Sequence, residues 1–217
     1  MHRDRVTANA EAFVKKQLSG EGTGHDWWHI ERVRSTARRI HKFEGGSWFI
    51  IDMALLLHDV GDYKVIGKKE DDYTIAENFL TSQNVPADII KRVMFIIKNM
   101  SYSKSIGSKM TTQPIEFSIV QDADRLDAIG AIGIARAFAY GGSKGKQLYD
   151  PTLKAQEYET TEAYRATTGS TYHHFEEKLL RIKDMLNTST ARAIANKRDQ
   201  YMREFLAQFL GEWNGAK

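Results

Sequence analysis

A continuous apolar segment that ends in a histidine and an aspartate is the most informative feature of this chain. Residues 53–57 read Met-Ala-Leu-Leu-Leu, and His58-Asp59 follows directly. Such a run is too apolar to face water and predicts a buried segment. An imidazole and a carboxylate beside a core are costly unless something satisfies them, and a divalent cation binds both groups. A His-Asp pair also arises by chance, so the prediction of a metal site depends on further segments.

The composition favours a helical protein without disulfides. The 217 residues include three prolines and no cysteine, which excludes thiolate zinc sites and a cysteine nucleophile. This length fits one domain, at most two. No apolar stretch approaches the ~20 residues of a membrane helix, and no secretory signal is visible, so a cytoplasmic location is expected. The net charge of +3 comes without a dense Lys/Arg cluster, so no specific nucleic-acid binding is expected.

Apolar residues recur at helical spacing along most of the chain, and no convincing strand alternation is present. Polar, glycine-rich segments at 101–114 and 141–152 predict the longest loops. The predicted helices cover residues 6–18, 26–42, 48–58, 75–84, 86–97, 115–127, 131–140, 175–186 and 191–213.

Two further segments place polar side chains beside apolar helix faces. His29 lies one turn before Val33, near the inward face of the predicted helix 26–42. In the predicted helix 115–127, Asp124 and Asp127 share a face next to the apolar stripe. Asp122 lies about 200° of helical rotation from Asp124, so one helix cannot direct both at one point. Taken alone, His29 also fits a core histidine, and the aspartates fit a solvated helix face.

In their order along the chain, these segments resemble the HD-domain metal-dependent phosphohydrolases, in particular small single-domain bacterial members. The resemblance implies an all-α helical bundle that forms a single domain over residues 1–217. The family's metal ligands correspond to His29, His58, Asp59 and Asp124. The matching segments are HDWWHIERV at 25–33, LLHDVGDYK at 56–64, QDADRLDAIG at 121–130, GIARAF at 133–138 and HHFEEKLL at 173–180.

The resemblance implies one divalent metal ion, with Mn²⁺ or Mg²⁺ favoured and Fe²⁺, Co²⁺ or Ni²⁺ as alternatives. Four nitrogen and oxygen ligands on a cation that prefers six leave room for water and a substrate oxygen. Dinuclear relatives use extra histidines, and this chain has none beside the His58-Asp59 pair. Whether His173, His174 or Asp127 contributes to the site is left open.

The resemblance also implies roles for residues around the metal. Asp62 lies where phosphatase members hold an acidic residue, so it is expected to act as general acid or base, although it also fits a solvated helix end. Lys64 is expected to assist catalysis. The expected substrate is a phosphorylated small molecule, most favoured a nucleoside triphosphate, while the released product and the oligomeric state stay open. The candidate phosphate contacts are Arg32, Arg125, Arg136 and Lys144, with Lys146 in the same loop.

Two other functions compete with this interpretation. His25 and His29 resemble the H-E-x-x-H pattern of zinc peptidases. Asp26 would then replace the glutamate base one methylene short, and no third ligand follows at a familiar spacing. The second alternative is a non-catalytic HD module that senses a nucleotide, although every expected ligand is present.

Overall fold

The computed structural model describes residues 2–19, 26–101, 113–156 and 169–216, except for the side chain of residue 64. Within these ranges the regular structure is helical and contains no strand, which confirms the predicted all-α class. None of the described helices is both long enough and apolar enough to cross a bilayer. In chain order the helices are α1 Arg3–Gln17, α2 Trp27–Glu44, α3 Trp48–Leu57, α4 Tyr63–Ile66, α5 Thr74–Ser82, α6 Ala87–Asn99, α7 Ile115–Asp127, α8 Gly130–Ser143, α9 Thr171–Glu177, the 3₁₀ helix Leu179–Met185 and α10 Ser189–Trp213.

The chain divides into two compact units, Met1–Ala123 and Asp124–Lys217, and the boundary falls inside α7. In the first unit α3 packs against α1, α2 and α6, and α5 packs against α6. In the second unit α10 packs against α8 and the 3₁₀ helix, and α9 contacts both of these elements as well. The single domain over residues 1–217 stays a prediction.

Helix α3 forms the core of the first unit. Every residue from Phe49 to Leu57 is buried, which confirms the buried segment predicted from the apolar run. Full burial of one leucine or isoleucine side chain contributes about 1.5–3 kcal/mol relative to exposure, so this helix is held firmly. Helix α3 ends at Leu57, one residue before the predicted helix end, and His58 is its C-cap. The His58-Asp59 pair is therefore attached to a rigid, deeply buried element.

Several elements differ from those predicted. The loop expected from residue 141 begins after Ser143, because α8 continues through Gly141 and Gly142. Gly141 packs so tightly on Thr171 that a Cβ on residue 141 would collide with the Thr171 Oγ1. The helix expected over 175–186 is α9 followed by the 3₁₀ helix, because Lys178 leaves the helical region at φ −138° and ψ −57°. The short helix α4 was not expected. Most of the loop predicted at 101–114 lies outside the described residues.

A buried ion pair ties α2 to α3. The Arg34 guanidinium donates to both carboxylate oxygens of Asp52, at 2.7 and 3.1 Å, and these residues are only 3% and 2% exposed. Arg34 also bonds Glu11 of α1 at 2.9 Å and Glu31 at 3.0 Å. Burial alone would lower the pKa of Arg34, but the hydrogen bonds and charges of Asp52 and Glu11 raise it above its usual value. The guanidinium therefore stays charged and joins three helices.

Replacing Asp52 with alanine is expected to lower the free energy of unfolding by about 3 kcal/mol or more, because a broken buried pair leaves an uncompensated charge. As a matched control, Glu31→Ala removes a more exposed partner of the same guanidinium and should cost less than about 1 kcal/mol. Urea unfolding followed by circular dichroism measures both free energies. Equal costs for the two variants would show that Asp52 is no more important to Arg34 than its exposed partner.

Candidate metal centre

The first site residue, His29, is positioned by the start of α2. Asp26 is the N-cap of this helix, and its Oδ1 accepts the His29 backbone N–H at 2.7 Å. His29 is only 1% exposed. Since the Asp26 carboxylate serves as a helix cap, its contacts give it a structural role and not that of a peptidase base. His25, the other residue of the peptidase alternative, lies outside the described residues.

The second site residue, His58, is held in one tautomer by the end of α3. Its Nδ1 lies 2.8 Å from the carbonyl oxygen of Leu55. A carbonyl only accepts hydrogen bonds, so Nδ1 carries the proton and donates it. With the proton on Nδ1, the lone pair of an uncharged ring is on Nε2, which is the nitrogen that can bind a metal. This arrangement of a backbone carbonyl behind the imidazole is common among histidine ligands of metals.

His29, His58 and Asp59 bring their ligand atoms together at one point. The two Nε2 atoms are 3.3 Å apart. Asp59 places Oδ1 3.3 Å from His58 Nε2 and Oδ2 3.6 Å from His29 Nε2. Two ligands bonded at about 2.1 Å to one ion lie about 3.0–3.4 Å apart, depending on the bond angle. The spacing of the three groups therefore fits a shared cation.

The chemistry of the three groups agrees with their spacing. Their side chains are only 2–7% exposed, so water contributes little to satisfying them. The Nε2 lone pair of His58 faces a carboxylate oxygen of Asp59, which is also an acceptor, and a cation attracts both atoms at once. Among the residues that the structure describes, this is the one group of three or more such side chains close enough to hold an ion.

Asp62 lies in the turn that follows the ligand pair. Its N–H donates to the Asp59 carbonyl at 3.1 Å, and its own carbonyl accepts from Val65 and Ile66 of α4 at 3.0 Å each. Its side chain is half-buried. Asp62 therefore immediately precedes α4, one hydrogen-bonded turn after Asp59. Lys64 lies within α4, and its side chain is outside the described part of the chain.

The aspartates of α7 differ in their surroundings. The apolar stripe of this helix, Ile119, Ala123 and Leu126, is fully buried as expected. Asp122 is also fully buried, whereas Asp124 is half-buried. Asp127 is buried and accepts a hydrogen bond from Arg136 at 2.5 Å. The assignment of Asp124 as a ligand stays a prediction from the family resemblance.

The candidate phosphate contacts lie in varied surroundings. Arg125 is 6% exposed and donates to the Met185 carbonyl at 2.5 Å. Arg136 is half-buried beside Asp127, and Arg32 is half-buried on α2. Lys144 is exposed, with its ammonium 5.7 Å from the ring centroid of Tyr140. Their roles in substrate binding remain predictions.

The paired histidines of α9 belong to the second unit. His173 is buried, and its Nδ1 lies 2.7 Å from Oγ of Ser170, the N-cap of the helix. Burial, and to a smaller extent the charges of Lys178 and Lys146, together lower the pKa of His174 to about 3. His174 is therefore neutral at physiological pH.

Sequence patterns did not identify the residues that support the ligands. Asp52 anchors Arg34 against α3, two helical turns before the ligand pair. The importance of Asp52 could have been predicted, because a lone carboxylate within the apolar residues 48–57 needs a buried cationic partner. The role of the Leu55 carbonyl could not, since every residue has a backbone carbonyl.

The sequence and the fold are both similar to those of known proteins. No protein-family model matches the chain. Over 198 residues it is 39% identical to the uncharacterized protein YpgQ of Bacillus subtilis, which covers 90% of this chain and 88% of YpgQ. The crystal structure of YpgQ in complex with ADP is similar to this fold with a TM-score of 0.77 and 36% identity, covering 98% of this chain and 96% of that one.

Two further crystal structures match over almost their whole length. One, from Lactobacillus plantarum, has a TM-score of 0.86 and 38% identity, and covers 99% of this chain and 100% of that one. The other is an HD-superfamily hydrolase from Bacillus thuringiensis, with a TM-score of 0.76 and 41% identity over 98% of each chain. These likenesses confirm the resemblance found in the sequence, and the chain belongs to the HD superfamily.

Proposed function

We propose that this protein is a metal-dependent phosphohydrolase that cleaves a phosphoester or phosphoanhydride bond of a nucleotide. The observation that carries the proposal is the buried cluster of His29, His58 and Asp59, whose ligand atoms have the spacing of a metal site. Similarity to an HD-superfamily hydrolase supports hydrolysis as the reaction. We favour a nucleoside triphosphate as the substrate and water as the attacking group.

The proposed cofactor is one divalent cation, with Mn²⁺ or Mg²⁺ favoured over Fe²⁺, Co²⁺ and Ni²⁺. Nitrogen and oxygen ligands without a thiolate favour these ions over structural zinc. Asp124 is proposed as the fourth ligand on the strength of the family resemblance. When bound, the cation supplies charge that stabilises the phosphoryl group and lowers the pKa of a water molecule.

Asp62 is proposed to move the proton. Its carboxylate accepts a proton from the attacking water as the new P–O bond forms and the bond to the leaving group breaks. The backbone hydrogen bond from Asp62 to Asp59 supports this role, because it ties the base to a proposed ligand. Lys64 is proposed to hold a phosphate oxygen. Further phosphate contacts are proposed, from their charge alone, at Arg32, Arg125, Arg136 and Lys144.

A nucleotide is proposed as the substrate because YpgQ has been crystallised in complex with ADP. That complex concerns YpgQ, and we extend nucleotide binding to this chain because the two are 36% identical over 98% of its length. A nucleoside triphosphate shares the base, the sugar and the phosphoanhydride chemistry of ADP. It also offers two alternative bonds for hydrolysis, which release either phosphate or pyrophosphate.

A panel of nucleoside mono-, di- and triphosphates, each incubated with Mn²⁺ or Mg²⁺, tests the proposed reaction. We expect metal-dependent turnover that is fastest with a triphosphate and is abolished by EDTA. Separate assays for phosphate and pyrophosphate identify the bond that breaks. The His58→Ala variant, purified in the same way, is the control for contaminating phosphatases.

The same panel distinguishes the alternative functions. Nucleotide binding without turnover under every metal tested would contradict hydrolysis and would indicate a nucleotide-sensing module. A zinc peptidase that uses His25 and His29 would cleave casein in the presence of Zn²⁺. We expect no such cleavage, because the carboxylate that would serve as the base, Asp26, is already a helix cap.

A further inference from the structure

The carboxylate of Asp71 joins the start of α4 to a residue ten positions later. Its Oδ1 accepts the backbone N–H of Tyr63 at 3.0 Å, and its Oδ2 accepts the phenol of Tyr73 at 2.7 Å. Tyr63 is the first residue of α4, and the residue before it is Asp62. A side chain distant in sequence therefore fixes the backbone next to the proposed base.

A second attachment fixes the backbone on the other side of Asp62. The carbonyl of Gly61 accepts the N–H of Asp72 at 2.8 Å. The two backbone segments approach so closely that a Cβ on Gly61 would collide with the carbonyl oxygen of Asp72. Asp62 is thus bracketed, with residue 61 held by residue 72 and residue 63 held by residue 71. We call these two attachments the 61–72 clasp.

The phenol of Tyr73 keeps Asp71 in place over the physiological pH range. Burial raises the pKa of Tyr73, and the hydrogen bond to Asp71 and the charges of Asp71 and Asp62 raise it further. The phenol therefore stays protonated and remains a donor to Asp71.

We propose that Asp71 is a positioning residue that sets the orientation of Asp62 for proton transfer. The inference rests on the proposed function, in which Asp62 is the general acid or base. Asp71 acts through the backbone of Tyr63 and is not itself a catalytic residue. Displacement of a reacting group by 1 Å costs about 10²-fold in rate, so loss of the clasp affects turnover far more than substrate binding.

The Asp71→Ala variant is expected to lower kcat by about 10- to 100-fold with little change in KM or metal occupancy. Asp71→Asn should recover most of kcat, since its amide oxygen still accepts the Tyr63 N–H and its NH₂ can donate to the phenol oxygen. Glu70→Ala is the matched control, because it removes an exposed carboxylate one residue away. Glu70→Ala should behave as wild type.

A double-mutant cycle separates positioning from a general structural role. If Asp71 acts through Asp62, adding Asp71→Ala to Asp62→Asn should cause no further loss of kcat. Independent losses that multiply in the double variant would overturn the inference, as would wild-type kcat in Asp71→Ala alone.

Hydrogen exchange tests the clasp without reference to activity. The Tyr63 amide should exchange faster in Asp71→Ala than in wild type or Glu70→Ala, while α2 and α3 are unchanged. An unchanged Tyr63 rate would overturn the inference even in an active enzyme. If the wild type hydrolyses no nucleotide but shows this Asp71-dependent protection, the proposed function fails and the clasp itself stands.

Discussion

The His58→Ala variant is expected to lose both bound metal and phosphohydrolase activity while keeping its helical content. The substitution removes one of three clustered ligand groups, and its Nε2 is the atom that lies 3.3 Å from both partners. Changes to groups that merely support metal ligands cost 10- to 100-fold, so loss of a ligand should cost at least about 10²-fold. The fold should survive because His58 lies just beyond the last turn of α3. Elemental analysis after dialysis measures the bound metal, and circular dichroism measures the helical content.

Parallel variants define the ligand set. Asp59→Ala should behave like His58→Ala, and Asp124→Ala should also lose metal if it is the fourth ligand. His25→Ala should keep its metal, and a loss there would revive the peptidase-like site. Full metal occupancy in His58→Ala would disprove the proposed centre.

The Asp62→Asn variant is expected to lower kcat by about 10²- to 10⁴-fold, the usual cost of losing a general acid or base. The amide keeps the size of the side chain and removes its basicity. Metal occupancy should persist, and KM should change much less than kcat, because the lost interaction belongs mainly to the transition state. Steady-state kinetics on one nucleoside triphosphate, with metal analysis of the same sample, measure both quantities.

Lys64→Ala provides a contrast with Asp62→Asn. If Lys64 binds a phosphate oxygen in the ground state, its removal should raise KM with a smaller effect on kcat. Near wild-type turnover in Asp62→Asn would show that the attacking water needs no side-chain base. Asp62 would then be only a carboxylate at the start of α4.

The elements that could be predicted from the sequence are those that bury a regular apolar face. Helix α7 has the predicted bounds, 115–127, because its apolar stripe repeats at helical spacing throughout. The predicted bounds of helix α3 agree with the structure to within one residue, because a continuous apolar run is stable only when it is buried. The family resemblance identified His29, His58 and Asp59, and the structure brings these three side chains together.

The features that could not be predicted depend on contacts that leave no periodic pattern. The spacing of Phe175, Leu179, Ile182 and Leu186 fits an α-helix, and it does not reveal that Lys178 breaks the helix. Asp71 bonds the Tyr63 backbone eight residues away, which depends on the path of the intervening turn. The burial of Arg125 against the Met185 carbonyl likewise depends on tertiary packing, which cannot be predicted from the presence of an arginine in the sequence.

The hydrogen bond between His58 and Leu55 couples the chemistry of the site to the local stability of one helical turn. The last four carbonyls of a helix lack intrahelical donors, and the imidazole supplies a donor to one of them. Opening of that turn would release the Nδ1 proton from its acceptor and allow the ring to exchange tautomers. Every residue of that turn is buried, so opening it requires a free energy close to that of unfolding the helix itself. On heating, the proposed activity should therefore be lost together with the helical signal, which thermal inactivation and circular dichroism on one sample would measure.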